Sequence, residues 1–258
     1  MAQDSKIEWT NHSNSIWWGC TEVHEGCDHC YAAALSNRWG NDLWGNDKAR
    51  KEIKNAFANF LKYQNLAKAA GEIHRVFVGS MMDIFEKPMT LINSKGEPLD
   101  YTTEKLRQQL FTNIDAGLYS HLLQLFLTKR ETNINKYIPE HWKLNPPSNV
   151  MFGATAVNQA TLDRVIKNLQ AVNGRKFLSI EPQLDLIKLG KLEGIDWIIQ
   201  GGESGPKKRP FNLDWARSMR DEALALGIPY FFKQIDKVQD IPTDLQIRQF
   251  PNHYINAS

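Results

Sequence analysis

Residues 197–203 read Trp-Ile-Ile-Gln-Gly-Gly-Glu, a short apolar run that leads through one glutamine into two glycines and a carboxylate. A continuous apolar run of this length is typical of a strand buried on both faces, as in a parallel sheet covered by helices. Similar short apolar runs recur along the chain. Strands are predicted at 15–19, 75–79, 123–128, 150–155, 176–180, 197–201 and 230–233.

Apolar residues recur at helical spacing in the segments between these strands. Helices are predicted at 46–70, 103–116, 159–172 and 214–226. The alternation of strands and helices implies right-handed crossovers and a parallel sheet. The sequence therefore predicts an α/β fold, a complete or partial (βα) TIM-like barrel in a single domain over 1–258. An insertion is expected around 84–100 and a loosely ordered tail over 237–258.

The overall composition bounds where the protein works. The net charge is only +2, so any surface that binds nucleic acid must be local. No apolar run approaches the roughly 20 residues of a membrane-spanning helix, and no secretory signal is visible. We therefore expect a cytoplasmic protein without membrane contact. That compartment is reducing, which disfavours disulfides.

The three cysteines fall within eleven residues, as Cys20-x6-Cys27-x2-Cys30. An odd number of thiols in a reducing compartment favours metal or cluster ligation. Three thiolates can hold three irons of a [4Fe–4S] cluster and leave the fourth open for S-adenosylmethionine (SAM). Zinc is the alternative, with His24 or His29 as a fourth ligand. The loop follows the first predicted strand and opens onto the strand ends, which favours the cluster.

Polar side chains follow the predicted strands at their carboxyl ends, the edge where parallel α/β folds build active sites. Glu181 and Glu203 come directly after apolar strands, where a carboxylate is partly desolvated. We expect Glu181, Glu203 and Lys233 to line one cavity and to manage protons as catalytic groups. Lys129 and Arg130 are expected at the rim of that cavity.

Further residues on this edge are candidate ligand contacts. Lys129 and Arg130 are suited to holding phosphate, and Trp17 and Tyr31 are suited to stacking on a base. Contacts with SAM are predicted at Ser80, Asp83, Thr128, Ser179, Gly201 and Gly202.

Eight motifs stand in order between residues 6 and 235: KIEWT (6–10), WGCT (18–21), GCDHCYA (26–32), VFVGSMMD (76–83), LTKR (127–130), LSIEP (178–182), GGESGP (201–206) and FFKQ (231–234). Together they resemble a phage-associated three-cysteine-motif family of radical-SAM-like phage or prophage proteins. Two features differ from what is expected. Ala33 stands where a carboxylate is expected. The cysteine spacing is wider than the Cys-x3-Cys-x2-Cys that is usual in radical SAM enzymes.

The resemblance implies a barrel of radical SAM type, with a [4Fe–4S] cluster on Cys20, Cys27 and Cys30 in the loop after the first strand. The expected function is to generate a 5′-deoxyadenosyl radical that modifies a nucleobase or modified nucleotide. Phage DNA hypermodification is one such setting, for example by isomerisation of amino-acid-decorated thymidine. We expect an isomerase or lyase, an electron donor of flavodoxin or ferredoxin type, and a location in the cytoplasm of the bacterial host.

Two other functions stay open on the sequence. One is a zinc-stapled nucleic-acid-binding protein without catalysis, which the Cys-x2-Cys spacing permits. The other is a hydrolase that works through Glu181 and Glu203, with the metal only structural.

Overall fold

The computed structural model describes residues 3–205 and 207–251. Its strands are β1 (His12–Asn14), β2 (Trp17–Trp18), β3 (Arg50–Glu52), β4 (His74–Val78), β5 (Thr90–Ile92), β6 (Pro98–Thr102), β7 (Leu122–Thr128), β8 (Val150–Thr155), β9 (Arg175–Ile180), β10 (Trp197–Gly201) and β11 (Tyr230–Gln234). Its α-helices are α1 (Tyr31–Arg38), α2 (Ala56–Ala70), α3 (Thr103–Asp115), α4 (Ile134–Tyr137), α5 (Gln159–Leu169) and α6 (Leu213–Ala225).

Seven strands form one sheet in the order β1-β4-β7-β8-β9-β10-β11, and all its pairings are parallel. The sheet is curled into a half-barrel, with β1 and β11 at its two edges. A mixed α/β fold compatible with a partial TIM-like barrel is therefore confirmed. The carboxyl ends of all seven strands point toward the same edge of the sheet.

Each face of the sheet carries its own apolar cluster. Leu123 and Leu125 of β7 join Phe77 of β4 on one face. Leu122 and Phe126, which alternate with them along β7, join the larger cluster that includes the helices. Because both faces are covered, the strands read as continuous apolar runs, and this is why most of them are predictable from the sequence.

The prediction of a barrel strand at 15–19 is wrong. The sheet begins with β1 instead, and β2 pairs antiparallel with β3. The sequence of β1 is polar, yet its side chains are buried because they find partners. The Asn14 amide donates to the Ala56 carbonyl oxygen at 2.8 Å, and the His12 ring stacks on Tyr63 with centroids 4.2 Å apart. A polar strand of this kind carries no apolar signal.

A second, four-stranded sheet has the order β2-β3-β5-β6. The segment predicted as an insertion around 84–100 supplies β5 and part of β6, joined by a turn. In this turn the side-chain oxygen of Asn93 accepts hydrogen bonds from two backbone N–H groups. β3 occupies part of the segment predicted as helix over 46–70, so α2 begins only at Ala56.

The other predicted helices correspond to α3, α5 and α6. The first turn of α5 has a capping box, in which Asn158 and Thr161 satisfy each other's backbone N–H groups. None of the described helices is long and apolar enough to cross a membrane.

The segment predicted as a tail packs against β11 where the structure describes it. Leu245 is fully buried, and the backbone N–H of Phe232 donates to the Ile247 carbonyl oxygen at 3.1 Å. The part of the predicted tail at 252–258 lies outside the described residues.

A pair of histidines lies at the amino-terminal side of the sheet, away from the strand ends considered below. His12 Nδ1 accepts from the Asp4 backbone N–H at 3.4 Å, so the neutral ring carries its proton on Nε2, 2.9 Å from His74 Nδ1. Protonation of His12 would set an N–H group against the Asp4 donor. Burial, and then the His74 ring, lower the pKa of His12 to about 4.

We expect this histidine to make folding sensitive to mild acid. The unfolded chain has an ordinary histidine pKa of about 6.5 and binds a proton that the folded state refuses, so stability falls as the pH drops below that value. From pH 7 to pH 5 the His12 contribution to the unfolding free energy should fall by about 2 kcal/mol, measured by urea unfolding. His12→Gln should flatten this slope, whereas His141→Gln, at an exposed histidine, should leave it unchanged. Equal slopes in the two variants would contradict the assignment.

Candidate functional site

A cavity of about 220 Å³ lies at the carboxyl ends of the parallel strands. Its walls come from the loops that follow the strands of the large sheet, so side chains far apart in sequence meet there. Most of the residues predicted from the sequence line it. They are Cys20, Cys27, Cys30, Tyr31, Ser80, Asp83, Thr128, Lys129, Arg130, Ser179, Glu181, Gly202, Glu203 and Lys233.

The cysteines lie on one loop between β2 and α1. Cys27 is buried at the end of a one-turn 3₁₀ helix, whereas Cys20 and Cys30 are half-buried. Cys30 is the residue that precedes the first turn of α1. Gly26 allows a close approach here, because a Cβ at this position would lie 2.7 Å from Val157 Cγ1. The loop therefore presents three thiols to one cavity.

Arg130 lies beside the first cysteine. Its Nη1 is 3.7 Å from Cys20 Sγ and 2.8 Å from Asp83 Oδ2, while its Nη2 donates to the Thr21 carbonyl oxygen at 2.6 Å. Burial, and then the Asp83 carboxylate, raise the pKa of the Cys20 thiol to about 12, although Arg130 opposes the rise. This corrects the prediction of Arg130 at the rim, because its side chain is only 14% exposed and is tied down by Asp83.

A second arginine lies behind this pair. Arg50 is fully buried and makes two hydrogen bonds to the Glu86 carboxylate, from Nε at 2.8 Å and from Nη2 at 2.7 Å. The same guanidinium donates to Thr21 Oγ1 at 2.8 Å and to the Leu43 carbonyl oxygen at 2.9 Å. Glu86 also lies 3.6 Å from the Arg130 guanidinium. The network therefore holds Thr21, the residue directly after Cys20.

Two of the predicted SAM contacts serve this network. The Thr128 hydroxyl donates to the Asp83 carboxylate at 2.8 Å, and the Lys129 backbone N–H donates to it at 3.2 Å. Asp83 is 5% exposed. Its carboxylate is thus satisfied within the protein, where it orients Arg130, and the prediction of a SAM contact at Asp83 or Thr128 receives no support from this geometry.

Glu203 holds the cysteine loop against the sheet. One oxygen accepts from His29 Nδ1 at 3.0 Å and from the Arg209 backbone N–H at 2.6 Å, and the other accepts from Arg209 Nε at 3.0 Å. Arg209 also donates to the Glu25 carbonyl oxygen at 3.0 Å. Burial alone would raise the pKa of Glu203, but the hydrogen bonds from Arg209 and His29 outweigh it and lower the pKa to about 2. Such a carboxylate stays ionised at neutral pH and is ill suited to the proton transfer expected of it.

Glu181 and Lys233, which follow two different strands and were expected to line one cavity, form an ion pair in it. Lys233 Nζ lies 2.8 Å from Glu181 Oε1, and both side chains are mostly buried. Ser179 Oγ lies 3.5 Å from the other oxygen of Glu181. Gly201 does not line the cavity, but a Cβ there would lie 3.1 Å from Glu181 Oε1, so glycine leaves room for the carboxylate.

The two aromatic residues predicted to stack on a base differ in where they lie. Trp17 is fully buried in the larger apolar cluster, which includes the helices, and does not line the cavity, which corrects its assignment as a base-stacking residue. Tyr31 lines the cavity, is 45% exposed, and its hydroxyl donates to the Ser80 carbonyl oxygen at 2.8 Å. Three aromatic residues that were not predicted as site residues, Trp9, Trp44 and Phe77, also line the cavity. Trp9 lies in the first motif, which is the signal that could have found it.

Residues 4–244 match the model of a protein family of unknown function, DUF5131. The chain belongs to the DUF5131 family. No curated protein and no solved structure is similar enough to count as a match. The matched range of this DUF5131 chain contains the cysteine loop and every residue that lines the cavity.

The sequence of this DUF5131 chain left two kinds of metal site open, a [4Fe–4S] cluster and a zinc site on the cysteine loop. Within the described ranges, no three His, Cys, Asp or Glu side chains converge closely enough to hold one metal ion. A zinc site needs its ligands around one ion at about 2.0–2.3 Å. His29 Nδ1 is bonded to Glu203, which leaves Nε2 for a ligand, whereas His24 does not line the cavity. In a cluster each thiolate binds a different iron, so three sulfurs that line one cavity fit it better.

Proposed function

We propose that this chain is a radical SAM enzyme that holds a [4Fe–4S] cluster on Cys20, Cys27 and Cys30 and modifies a nucleobase or modified nucleotide. One observation carries the proposal. The three thiols of one loop line the same cavity as the Glu181–Lys233 ion pair, at the carboxyl ends of a parallel half-barrel. A site of this kind joins a cluster loop to groups that can handle protons.

The residues around the cysteines suit a cluster. Three thiolates add negative charge to a partly buried site, and the Arg130 guanidinium beside Cys20 offsets it. Hydrogen bonds to cluster sulfurs are among the factors that set the potential of a cluster. When bound, the cluster with SAM supplies one-electron chemistry that yields a 5′-deoxyadenosyl radical.

The remaining polar groups of the cavity have separate tasks. Ser80, Ser179 and the backbone of Gly202 are the groups proposed to hold SAM. Glu181 and Lys233, 2.8 Å apart, are the groups proposed to move protons, with Glu181 as the acceptor from the substrate and Lys233 as the donor that returns one. Glu203 holds the cysteine loop instead of transferring protons.

The cavity also offers groups for a nucleotide. Lys129 lines it, and no carboxylate of the described residues forms an ion pair with its ammonium. Tyr31 presents an exposed ring beside it, on which a base can stack. We propose a base turned into the cavity from phage DNA, in the cytoplasm of a bacterial host, with amino-acid-decorated thymidine as one example. The outcome is an isomerisation or lyase reaction, with electrons from a flavodoxin- or ferredoxin-type donor.

Anaerobic reconstitution tests the proposal. The protein should bind about four iron and four sulfide per chain, and should form 5′-deoxyadenosine from SAM and a reductant. A colourless protein that carries zinc and forms no 5′-deoxyadenosine would overturn the proposal and favour the zinc-stapled nucleic-acid-binding protein.

Glu181→Gln should separate radical formation from substrate turnover. We expect this variant to keep its iron and its 5′-deoxyadenosine formation, and to lose about 100-fold or more in product formation, because the general base is gone. Asp185→Asn is the matched control, since Asp185 lies on the same loop but is exposed and does not line the cavity. Equal product formation by the two variants would remove Glu181 from the mechanism.

A further inference from the structure

Lys237 has an unusual backbone. It lies in the turn that follows β11 with φ at +66°, and Asp4 is the one other non-glycine residue with positive φ among those described. The left-handed region costs a non-glycine residue free energy, and such residues cluster at binding sites. A lysine that pays this cost in the wall of a cavity needs an explanation.

The side chain of Asp236, the residue before Lys237, holds this turn. The Asp236 carboxylate accepts from the backbone N–H groups of Val238 and Gln239 at 2.9 and 2.8 Å. It also forms an ion pair with Lys208 Nζ at 2.8 Å. These contacts, with the Lys208 hydrogen bond first, hold the pKa of Asp236 well below its usual range. The backbone of Lys237 is therefore fixed in this conformation before any ligand arrives.

The surroundings of Lys237 hold more positive than negative charge. Lys237 lines the cavity together with Glu181 and Lys233. Glu181 already pairs with Lys233 at 2.8 Å, and no described carboxylate lies within ion-pair distance of Lys237. Burial, and then the neighbouring ammonium of Lys233, lower the pKa of Lys237. Two carboxylates, Glu181 and Glu8, act on Lys237, but each already has a partner, Lys233 for the first and Arg248 at 2.9 Å for the second. Two carboxylates thus face three cations, an arrangement that an anionic ligand would stabilise.

We propose that Lys237 is a phosphate-binding residue, which takes a phosphate of the substrate nucleotide at the cavity. This rests on the proposed function in that the ligand is the substrate of the same cavity. A phosphate group offers several acceptor oxygens and at least one negative charge, and lysine is a common phosphate ligand in proteins. The phosphate can belong to a free nucleotide or to a nucleic acid strand.

Binding to the full chain tests this, followed by the fluorescence of the cavity tryptophans Trp9 and Trp44. The probes are thymidine, thymidine 5′-monophosphate and a short thymidine oligonucleotide. We expect the parent protein to bind the monophosphate at least about tenfold more tightly than thymidine, the effect of one charge-assisted hydrogen bond. Lys237→Met should abolish this preference, and Lys237→Arg should keep most of it. Lys95→Met, at an exposed lysine of the β5–β6 turn, should change nothing.

The outcomes separate clearly. A preference for the monophosphate that survives in Lys237→Met, or that is absent from the parent, overturns the proposal. Oligonucleotide binding that is tighter than monophosphate binding and weakens steeply with salt supports a nucleic acid strand as the source. Equal binding of the two supports a free nucleotide. A phosphate preference that depends on Lys237, in a protein that forms no 5′-deoxyadenosine, leaves the phosphate site standing while the radical function fails.

Discussion

Each of Cys20→Ala, Cys27→Ala and Cys30→Ala is expected to lower the iron content of the reconstituted protein at least about tenfold. The reason is that the three thiols are the whole thiolate set of the chain, so the loss of one leaves a cluster with two ligands. All three thiols line the cavity and none is needed for the apolar core of the sheet. The measurements are iron and sulfide per chain after anaerobic reconstitution.

Val23→Ala is the matched control for these variants. Val23 lies on the same loop and is 42% exposed, so its replacement removes apolar atoms without removing a ligand. The control should keep its full iron content, and circular dichroism should show the same helical signal in all four variants. Full iron occupancy in any single cysteine variant would exclude three-thiolate ligation.

Glu86→Ala is expected to destabilise the fold by about 3–5 kcal/mol, measured by urea unfolding. Glu86 is 2% exposed and makes the two hydrogen bonds that neutralise the fully buried Arg50. Removing the carboxylate leaves the Arg50 charge buried without its partner, and the second guanidinium nearby, that of Arg130, adds to the repulsion. The loss should therefore be far larger than for a surface ion pair.

Asp42→Ala supplies the comparison on the same part of the chain. Asp42 pairs with Lys48 at 2.6 Å, but its side chain is 76% exposed. Exposed pairs contribute about 0–1 kcal/mol, so the unfolding free energy of this variant should stay close to that of the parent. A Glu86→Ala variant no less stable than Asp42→Ala would show that Arg50 finds another partner or water.

The sheet was predictable where its strands are covered on both faces. Runs such as 197–199 are apolar throughout because the helices cover one face of the sheet and the smaller apolar cluster covers the other. β1 was not predictable, because His12 and Asn14 are buried by virtue of contacts with residues more than 40 positions away. Trp17 was misplaced for the complementary reason. Its apolar run belongs to β2 of the second sheet and packs in the larger apolar cluster.

The membership of the cavity was predictable for a topological reason, since the carboxyl ends of parallel strands meet at one edge. What each charged side chain does there was not. Arg130 and Glu203 both follow apolar strands, as catalytic groups do, yet their charges are satisfied by Asp83 and Arg209. No periodicity in a sequence identifies which acid meets which base. Arg50 and Lys237 were missed because they lie in segments predicted as helix and as tail.

The contacts that fix the cysteine loop have a consequence for the order of events during synthesis. The loop leaves the ribosome before the residues that hold it, since Glu203 follows His29 by 174 residues and Arg130 follows Thr21 by 109. Until those later segments are made and the half-barrel has formed, Glu203 cannot bond to His29, and Arg130 does not lie beside Cys20. Delivery of the proposed cluster is therefore expected to follow the synthesis of these later segments.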